Sequence, residues 1–399
     1  MPAESPAPSI APRHLPGDRD PTVSAALVYA AQFGAMGLFY PIFPVWLGTR
    51  GFDPAQISLA MSLPLLARFA IAPAVGYVAD GMEDRRPLLA GLVLGTLALA
   101  VTLPFLGGFY PILCVAALAM MIWQASPPLI DATVVSLVRR GLVRDYGRTR
   151  LWGSVSYAVV TLLAGALLET SGVDAVFWAF VLGLGGLVGA SVLLPSGAPQ
   201  RREQPRQRID LLRRPTLLAL FVAVAVIMAS QAMFQYFGSV HFLALGYPRW
   251  SVGMLWTLSV SAEIVMFWLG PPALNRIGPF GLLVIAALVS VVRWIGMGFD
   301  PPLWGAALLQ LMHAASFSCT YLGLMALIPR LAPDSIGAQA QSAYVTLSGL
   351  TMALTVLATG PVYSVLGGGT YFFSALLAAA GFILLLAVRR RVAEAPPEA

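Results

Sequence analysis

The chain has no lysine. Its 24 basic residues are all arginine, and charged residues make up only 11% of the sequence, against roughly a quarter in soluble domains. The formal net charge of +6 therefore reflects where the arginines sit, and not a nucleic-acid surface. Cysteine is scarce as well. Cys114 and Cys319 lie in apolar runs, which argues against a disulfide framework and against a cysteine metal site. The chain also lacks a P-loop, an H-E-x-x-H metal pair and a G-x-S-x-G elbow. No cofactor is expected, and a polytopic membrane enzyme working through Glu263, His313 and Asp131 is disfavoured.

Hydrophobic residues are abundant, at 58%. Runs such as Ala25 to Leu47 and Tyr371 to Val388 are long enough to cross about 30 Å of hydrocarbon. Apolar runs between polar breaks predict twelve spans, at 25–47, 57–80, 87–106, 110–137, 150–170, 173–195, 215–243, 251–272, 280–299, 302–328, 338–363 and 370–389. The fold class is thus an all-α integral membrane protein. The turns after spans two, four, six, eight and ten carry Arg85, Arg86, Arg139, Arg140, Arg144, Arg148, the cluster Arg201 to Arg214, Arg276 and Arg330. The opposite turns carry only Arg50 and Arg249, so both termini are predicted to be cytoplasmic, with the chain in a bacterial inner membrane.

Residues 1–22 are Pro-rich, and the first twenty read as disordered, without the order of a cleaved signal. Residues 23–197 and 215–389 form two expected six-helix bundles, joined by an Arg-, Gln- and Pro-rich linker at 198–214 and followed by a tail at 390–399. Such a layout suits a rocker-switch transporter with its solute between the halves. The expected partners are a small-molecule solute, protons and the lipid bilayer, and the expected state is a monomer.

Charges inside apolar spans are expensive and mark function by default. At 1.5 Å per residue, Glu263 lies about 18 Å, Arg293 about 9 Å and His313 about 16 Å from the outer ends of spans eight, nine and ten. A Glu263–Arg293–His313 cluster is therefore expected, with proton coupling as its role and a purely structural ion pair as the alternative. Arg68 lies about 17 Å into span two and would suit an anionic solute, unless Asp131 neutralises it. By counting alone, Asp131 and Arg150 fall near the cytoplasmic boundary. Gln32, Phe234, Gln235, Tyr236 and His241 could offer hydrogen bonds or stacking to a solute. Gly183, Gly185, Gly186 and Gly189 suit close helix packing.

The run Gly76, Asp80, Arg85, Arg86 resembles the GxxxD-plus-basic signature of the major facilitator superfamily. This resemblance implies a conformational latch, with Gly76 allowing close helix contact. The stretch Asp145-Tyr-Gly-Arg-Thr-Arg-Leu-Trp-Gly-Ser154, together with Val292-Arg-Trp294 and Leu311-Met-His313, resembles the phenylpropionate permease family of that superfamily. The galactoside–proton symporters are more distantly similar, through Tyr40-Pro-Ile-Phe-Pro-Val-Trp46 and Asn275-Arg-Ile-Gly278. That similarity implies that Asp131 and Arg150 bind solute, that Tyr157 is a stacking platform, and that Arg293 and His313 couple protons. Two departures stand out: Ser316 occupies the place of the symporters' proton-carrying acid, and Glu263 sits about one helical turn from their glutamate.

The function so implied is proton-coupled import of an aromatic or other carboxylate by alternating access. A sugar or nucleoside symporter is the alternative, and drug efflux a lesser one. If proton coupling exists, Glu263 or Asp131 holds the proton.

Overall fold

Helix starts follow from local chemistry. Asp53 caps one helix reciprocally with Gln56, Asp20 and Asp145 accept backbone N–H groups from Thr22 and Arg148, and Pro21, Pro54, Pro215 and Pro279 occupy first-turn positions where no donor is lost. The computed structural model describes residues 20–82, 84–195, 214–332 and 334–394, and is all-helical over them. The first nineteen residues of the expected N-terminal tail, nearly all of the linker and the last five residues lie outside the described residues, whereas Pro21 and Thr22, also expected in that tail, already belong to the first helix.

The first set of helices comprises α1 (Pro21–Thr49), α2 (Pro54–Asp80), α3 (Arg86–Thr102), α4 (Phe109–Trp123), α5 (Ser126–Arg139) and α6 (Tyr146–Leu193). The second comprises α7 (Pro215–Ala229), α8 (Ala232–Ala244), α9 (Trp250–Trp268), α10 (Gly270–Ile277), α11 (Pro279–Gly298), α12 (Leu303–Leu311), α13 (Cys319–Leu331), α14 (Asp334–Leu366) and α15 (Thr370–Glu394). Among the described residues, nine helical stretches are long and apolar enough to cross a membrane. One of these, α6, is broken at Gly172, whose φ of 80° lies in the left-handed region that a side chain disfavours. α14 and α15 are likewise parted by a short turn at Gly367–Gly369.

Other helical stretches are interrupted part-way along. Gln124 and Ala125 separate α4 from α5, Ser230 and Gln231 separate α7 from α8, and a π-helical turn at Ala314–Ser318 joins α12 to α13. Prolines explain the break before α5, where Pro127 and Pro128 sit in the first turn, and Pro271 and Pro272 do the same for α10. A π-turn frees carbonyls and re-aims side chains, and here it does so beside His313.

Within the first set α1 packs along α6, and an aromatic core of Phe39, Phe43, Trp46, Phe177 and Phe180 fills the seam, Trp46 stacking on Phe177 at 4.5 Å. In the second set α15 packs on α7 and α11. The sets meet mainly where α2 packs on α14, α6 on α9 and α1 on α8. Their tightest approaches lie at the arginine-poor end. There the Cα of Gly165 is 2.8 Å from where a Cβ on Gly253 would lie, and a Cβ on Gly360 would collide with Pro54 and Ser58. Lipid offers no hydrophobic drive for helix association, so backbone contact of this kind holds the helices together. Hydrogen bonds reinforce it, from Trp250 N to Glu169 at 3.1 Å, from Thr257 to the Ala158 carbonyl at 2.9 Å and from Ser58 to the Leu357 carbonyl at 3.3 Å.

Two packing expectations are not met. A Cβ on Gly76 would meet nothing within 4 Å, so the close contact expected there is absent in this conformation. Gly185, Gly186 and Gly189 are equally open. Gly186 and Gly189 line an apolar groove between α1 and the second arm of α6, and among the described residues nothing lies within 4 Å of where their side chains would start.

Candidate functional site

Among the described residues Arg293 is the most fully buried charge, with 0% of its surface exposed. α11 presents it to the two interruptions described above. Its Nη1 donates to Gln231 Oε1 at the α7–α8 break at 3.1 Å, to Ser316 Oγ in the π-turn at 3.3 Å, and to His313 Nδ1 at 3.0 Å. Its Nη2 donates to Gln310 Oε1, which also accepts from Ser259 at 2.9 Å. Phe234 and Trp294 close over the guanidinium at 5.1 and 4.3 Å from its carbon. Neutral acceptors and ring faces thus replace the expected carboxylate, and among the described residues no acid lies within ion-pair distance of Arg293.

Histidine forms the link instead. A guanidinium only donates, so Nδ1 of His313 must accept, which leaves the hydrogen on Nε2. That nitrogen lies 3.7 Å from Glu263 Oε2. The three residues do come together, but as a row with imidazole in the middle and not as a direct Glu263–Arg293 pair. The reason is the π-turn, which brings His313 between α9 and α11.

Across the gap, the first set contributes a second group. Asp131 on α5 accepts from Tyr29 at 2.6 Å and Tyr146 at 3.1 Å, both on the same oxygen, and lies 3.9 Å from Arg150 Nε on α6. The Arg150 guanidinium lies flat on Phe33, 3.9 Å from its centroid, with Tyr29 at 5.3 Å. Among the described residues it donates no hydrogen bond, and its ion-pair partner is Asp131. Arg150 on α6 and Glu263 on α9 stand on helices that pack against each other at the junction of the two sets. The side chains of Asp131, Arg150 and Glu263 are partly exposed, at 42%, 33% and 23%.

Other expected residues fall elsewhere. Gln32 is buried, and its side-chain oxygen accepts from Ser126 at 2.9 Å, so it ties α1 to α5. Tyr236 is buried in the larger apolar core. His241 serves a separate pair with Asp300 at 2.8 Å. Of the latch residues, Arg85 is buried with Nε on the Ala79 carbonyl at 3.3 Å, and Arg86 pairs with Asp84 at 2.8 Å. The side chains of Arg68 and Asp80 lie outside the described residues.

Tyr29, Phe33, Tyr146, Gln231, Ser259 and Gln310 join the site without having been singled out for it. Tyr146 stood in the quoted motif, yet a tyrosine four residues before an arginine carries no signal of its own. Gln231 and Gln310 are polar residues in apolar spans, and that was the available clue.

The MFS_1 like family matches residues 23–375. The chain belongs to that family of the major facilitator superfamily. A probable 3-phenylpropionic acid transporter of Escherichia coli (strain K12) is 28% identical over 354 residues, covering 87% of this chain and 92% of the relative. A maltose permease of Geobacillus stearothermophilus is 29% identical over 330 residues, covering 80% and 81%. Among solved structures, the nucleoside transporter NupG superposes with a TM-score of 0.78 at 16% identity, covering 94% of this chain and all of that one, a likeness of fold alone. This major facilitator protein is a membrane transporter of small solutes.

Proposed function

We propose that the chain imports an aromatic or other carboxylate together with protons, by alternating access of two six-helix bundles, 23–197 and 215–389, that cross a bacterial inner membrane twelve times. The carrying observation is a pair of polar groups, Asp131 with Arg150 in one set and Glu263 with His313 and Arg293 in the other, with Arg150 and Glu263 on helices α6 and α9 that pack across the junction between the sets. Arg150 is the solute's cation in this reading, because it is partly exposed and donates no hydrogen bond among the described residues, whereas Arg293 is sealed among four acceptors. The aromatic walls Tyr29, Phe33 and Tyr157 suit the ring of such a solute. The likeness to the 3-phenylpropionic acid transporter points the same way.

Glu263 is the proposed proton carrier, relayed by His313. With the arginine-poor end sealed, the site would open to the cytoplasm. The latch Gly76, Asp80, Arg85 and Arg86 would close that side in the alternate state.

A second reading, a sugar or nucleoside symporter, draws on the Asp131, Arg150 and Tyr157 trio and on the likeness to a maltose permease. The test is a thermal-shift screen of the purified protein across aromatic acids, sugars and nucleosides, followed by uptake of the stabilising solute into proteoliposomes. Stabilisation by 3-phenylpropionate is expected, and its accumulation in chemically intact form when an inward proton gradient is imposed. Stabilisation by sugars or nucleosides alone would transfer the assignment to the second reading, and covalent change of the solute would count against transport.

A further inference from the structure

α1 is clamped to the first arm of α6. Ser156 Oγ donates to the Ala30 carbonyl at 2.7 Å, and Thr161 Oγ1 to the Gly37 carbonyl at 3.1 Å. The backbones are close as well, since a Cβ on Gly34 would stand 2.9 Å from Ser156 Oγ and one on Gly37 2.6 Å from Thr161 Oγ1. Phe33 lies between these contacts, so its backbone is fixed relative to α6.

Arg150 and Gly153 are three residues apart on α6 and share the face that meets Phe33. The guanidinium carbon of Arg150 lies 3.9 Å from the Phe33 centroid. A Cβ on Gly153 would stand 2.9 Å from Cδ2 and 3.1 Å from Cγ of Phe33, but 3.4 Å from Arg150 Nη1, close to ordinary contact. The ring thus occupies the space that the glycine leaves, and the guanidinium rests on the ring. A methyl group at position 153 must push the ring first, and Cγ is too near the backbone to swing clear.

Arginine is long, and little else restrains this one. Among the described residues Arg150 donates no hydrogen bond, and its ion-pair partner is 3.9 Å from Nε through an oxygen that already accepts from Tyr29 and Tyr146. An arginine free to change rotamer loses that freedom when it takes up an anion, and affinity falls accordingly. Stacking on Phe33 removes the freedom beforehand, and it sets the direction of the N–H edge that a carboxylate would meet.

We propose that Phe33 and Gly153 are positioning residues for the solute's carboxylate: the Phe33 ring, lodged in the space left by Gly153, holds the Arg150 guanidinium in the plane in which it receives the anion. This rests on the reading of Arg150 as the solute's cation. Gly153 acts through Phe33, and Phe33 acts through Arg150.

The test is counterflow of 3-phenylpropionate by the full chain in proteoliposomes, with Phe33→Leu, Phe33→Tyr, Gly153→Ala, the Phe33→Leu/Gly153→Ala double variant and Arg150→Gln beside the parent. Phe33→Leu keeps apolar bulk without a ring face, so its half-saturating concentration should rise roughly 5- to 30-fold, the order of one cation–π contact, at an unchanged maximal rate. Gly153→Ala should shift in the same direction, and Phe33→Tyr should restore most of the affinity. The double variant should be no worse than Phe33→Leu alone, because the methyl group then has no ring to push. Additive losses in the double variant overturn the action of Gly153 through Phe33. A fall in maximal rate alone, or parent-like saturation in Phe33→Leu while Arg150→Gln fails to exchange, overturns this inference and leaves the carboxylate reading standing. A parent that does not exchange 3-phenylpropionate, or an Arg150→Gln that exchanges it like the parent, overturns that reading itself. If Gly153→Ala does not fold, the Phe33→Leu and Phe33→Tyr pair decides.

Discussion

Arg293 donates to Nδ1 of His313 at 3.0 Å, and this one contact sets which nitrogen of the ring faces Glu263. A guanidinium cannot accept, so the hydrogen of the imidazole points away from it, toward the carboxylate 3.7 Å beyond. Arg293 thereby orients the row without touching the acid.

Arg293→Ala would leave Gln231 Oε1 and His313 Nδ1 without a donor in a sealed site, at about 1–3 kcal/mol for each buried group left unsatisfied, while Gln310 and Ser316 keep Ser259 and Gln231 as donors. A lowered unfolding temperature and no uptake are expected. Arg293→Lys keeps the charge but offers three donors without the planar fork, so partial uptake is expected. An Arg293→Ala protein that unfolds and transports like the parent contradicts the proposed relay.

Gly253 lies against the Thr161 carbonyl and the Gly165 backbone, with no room for a side chain. Gly253→Leu should stop the arginine-poor end from closing while leaving the polar groups intact. Solute binding measured by thermal shift should persist, and solute counterflow should fail. Normal counterflow would show that this contact is not needed for closure.

The helical, membrane-crossing character was legible in the sequence because apolar length and arginine placement are local signals. The break at Gly172 was legible as the gap between the spans at 150–170 and 173–195, whereas the one before Pro271 and Pro272 falls inside the span read at 251–272. The row was only half legible. Spacing placed Glu263, Arg293 and His313 at compatible depths, but the intervening position of the imidazole depends on a π-turn at Ala314–Ser318 that no residue there announces. Asp131 and Arg150 looked like boundary charges, since counting along a helix does not reveal the aromatic walls that Tyr29 and Phe33 bring from α1. Gln32 read as a cavity residue for the converse reason. A polar side chain in an apolar span can equally bond to the next helix, and here it does so through Ser126.

Tyr29 and Tyr146 together fix one oxygen of Asp131, so Tyr29→Phe and Tyr146→Phe should each weaken solute binding without unfolding the protein. Hydrogen bonds to a charged group contribute about 1.5–3 kcal/mol, or roughly a 10- to 100-fold change in affinity if the full amount is used. Asp131→Asn and Arg68→Gln should be measured beside them. Greater damage from Asp131→Asn, together with tight binding of a neutral sugar or nucleoside, would favour the second substrate reading.

In the loop before α3, the hydrogen bond from the Arg86 side chain holds the Asp84 carboxyl below its ordinary value. A depressed carboxyl contributes stability above its unfolded value and loses it only as pH falls through the lower folded one. That window lies below about pH 4, far from neutrality. The pH profile of uptake in Asp84→Asn should therefore superimpose on that of the parent across the neutral range. A shifted profile would place a titrating group in this loop and not at the candidate site.

The most direct measurement compares the parent with Glu263→Gln in two assays on the same proteoliposomes: uptake of solute driven by an inward proton gradient, and exchange of internal for external solute without one. Exchange needs no net deprotonation, so the variant should exchange like the parent and show no gradient-driven accumulation. Undiminished gradient-driven accumulation by Glu263→Gln would contradict the assignment of the proton to Glu263.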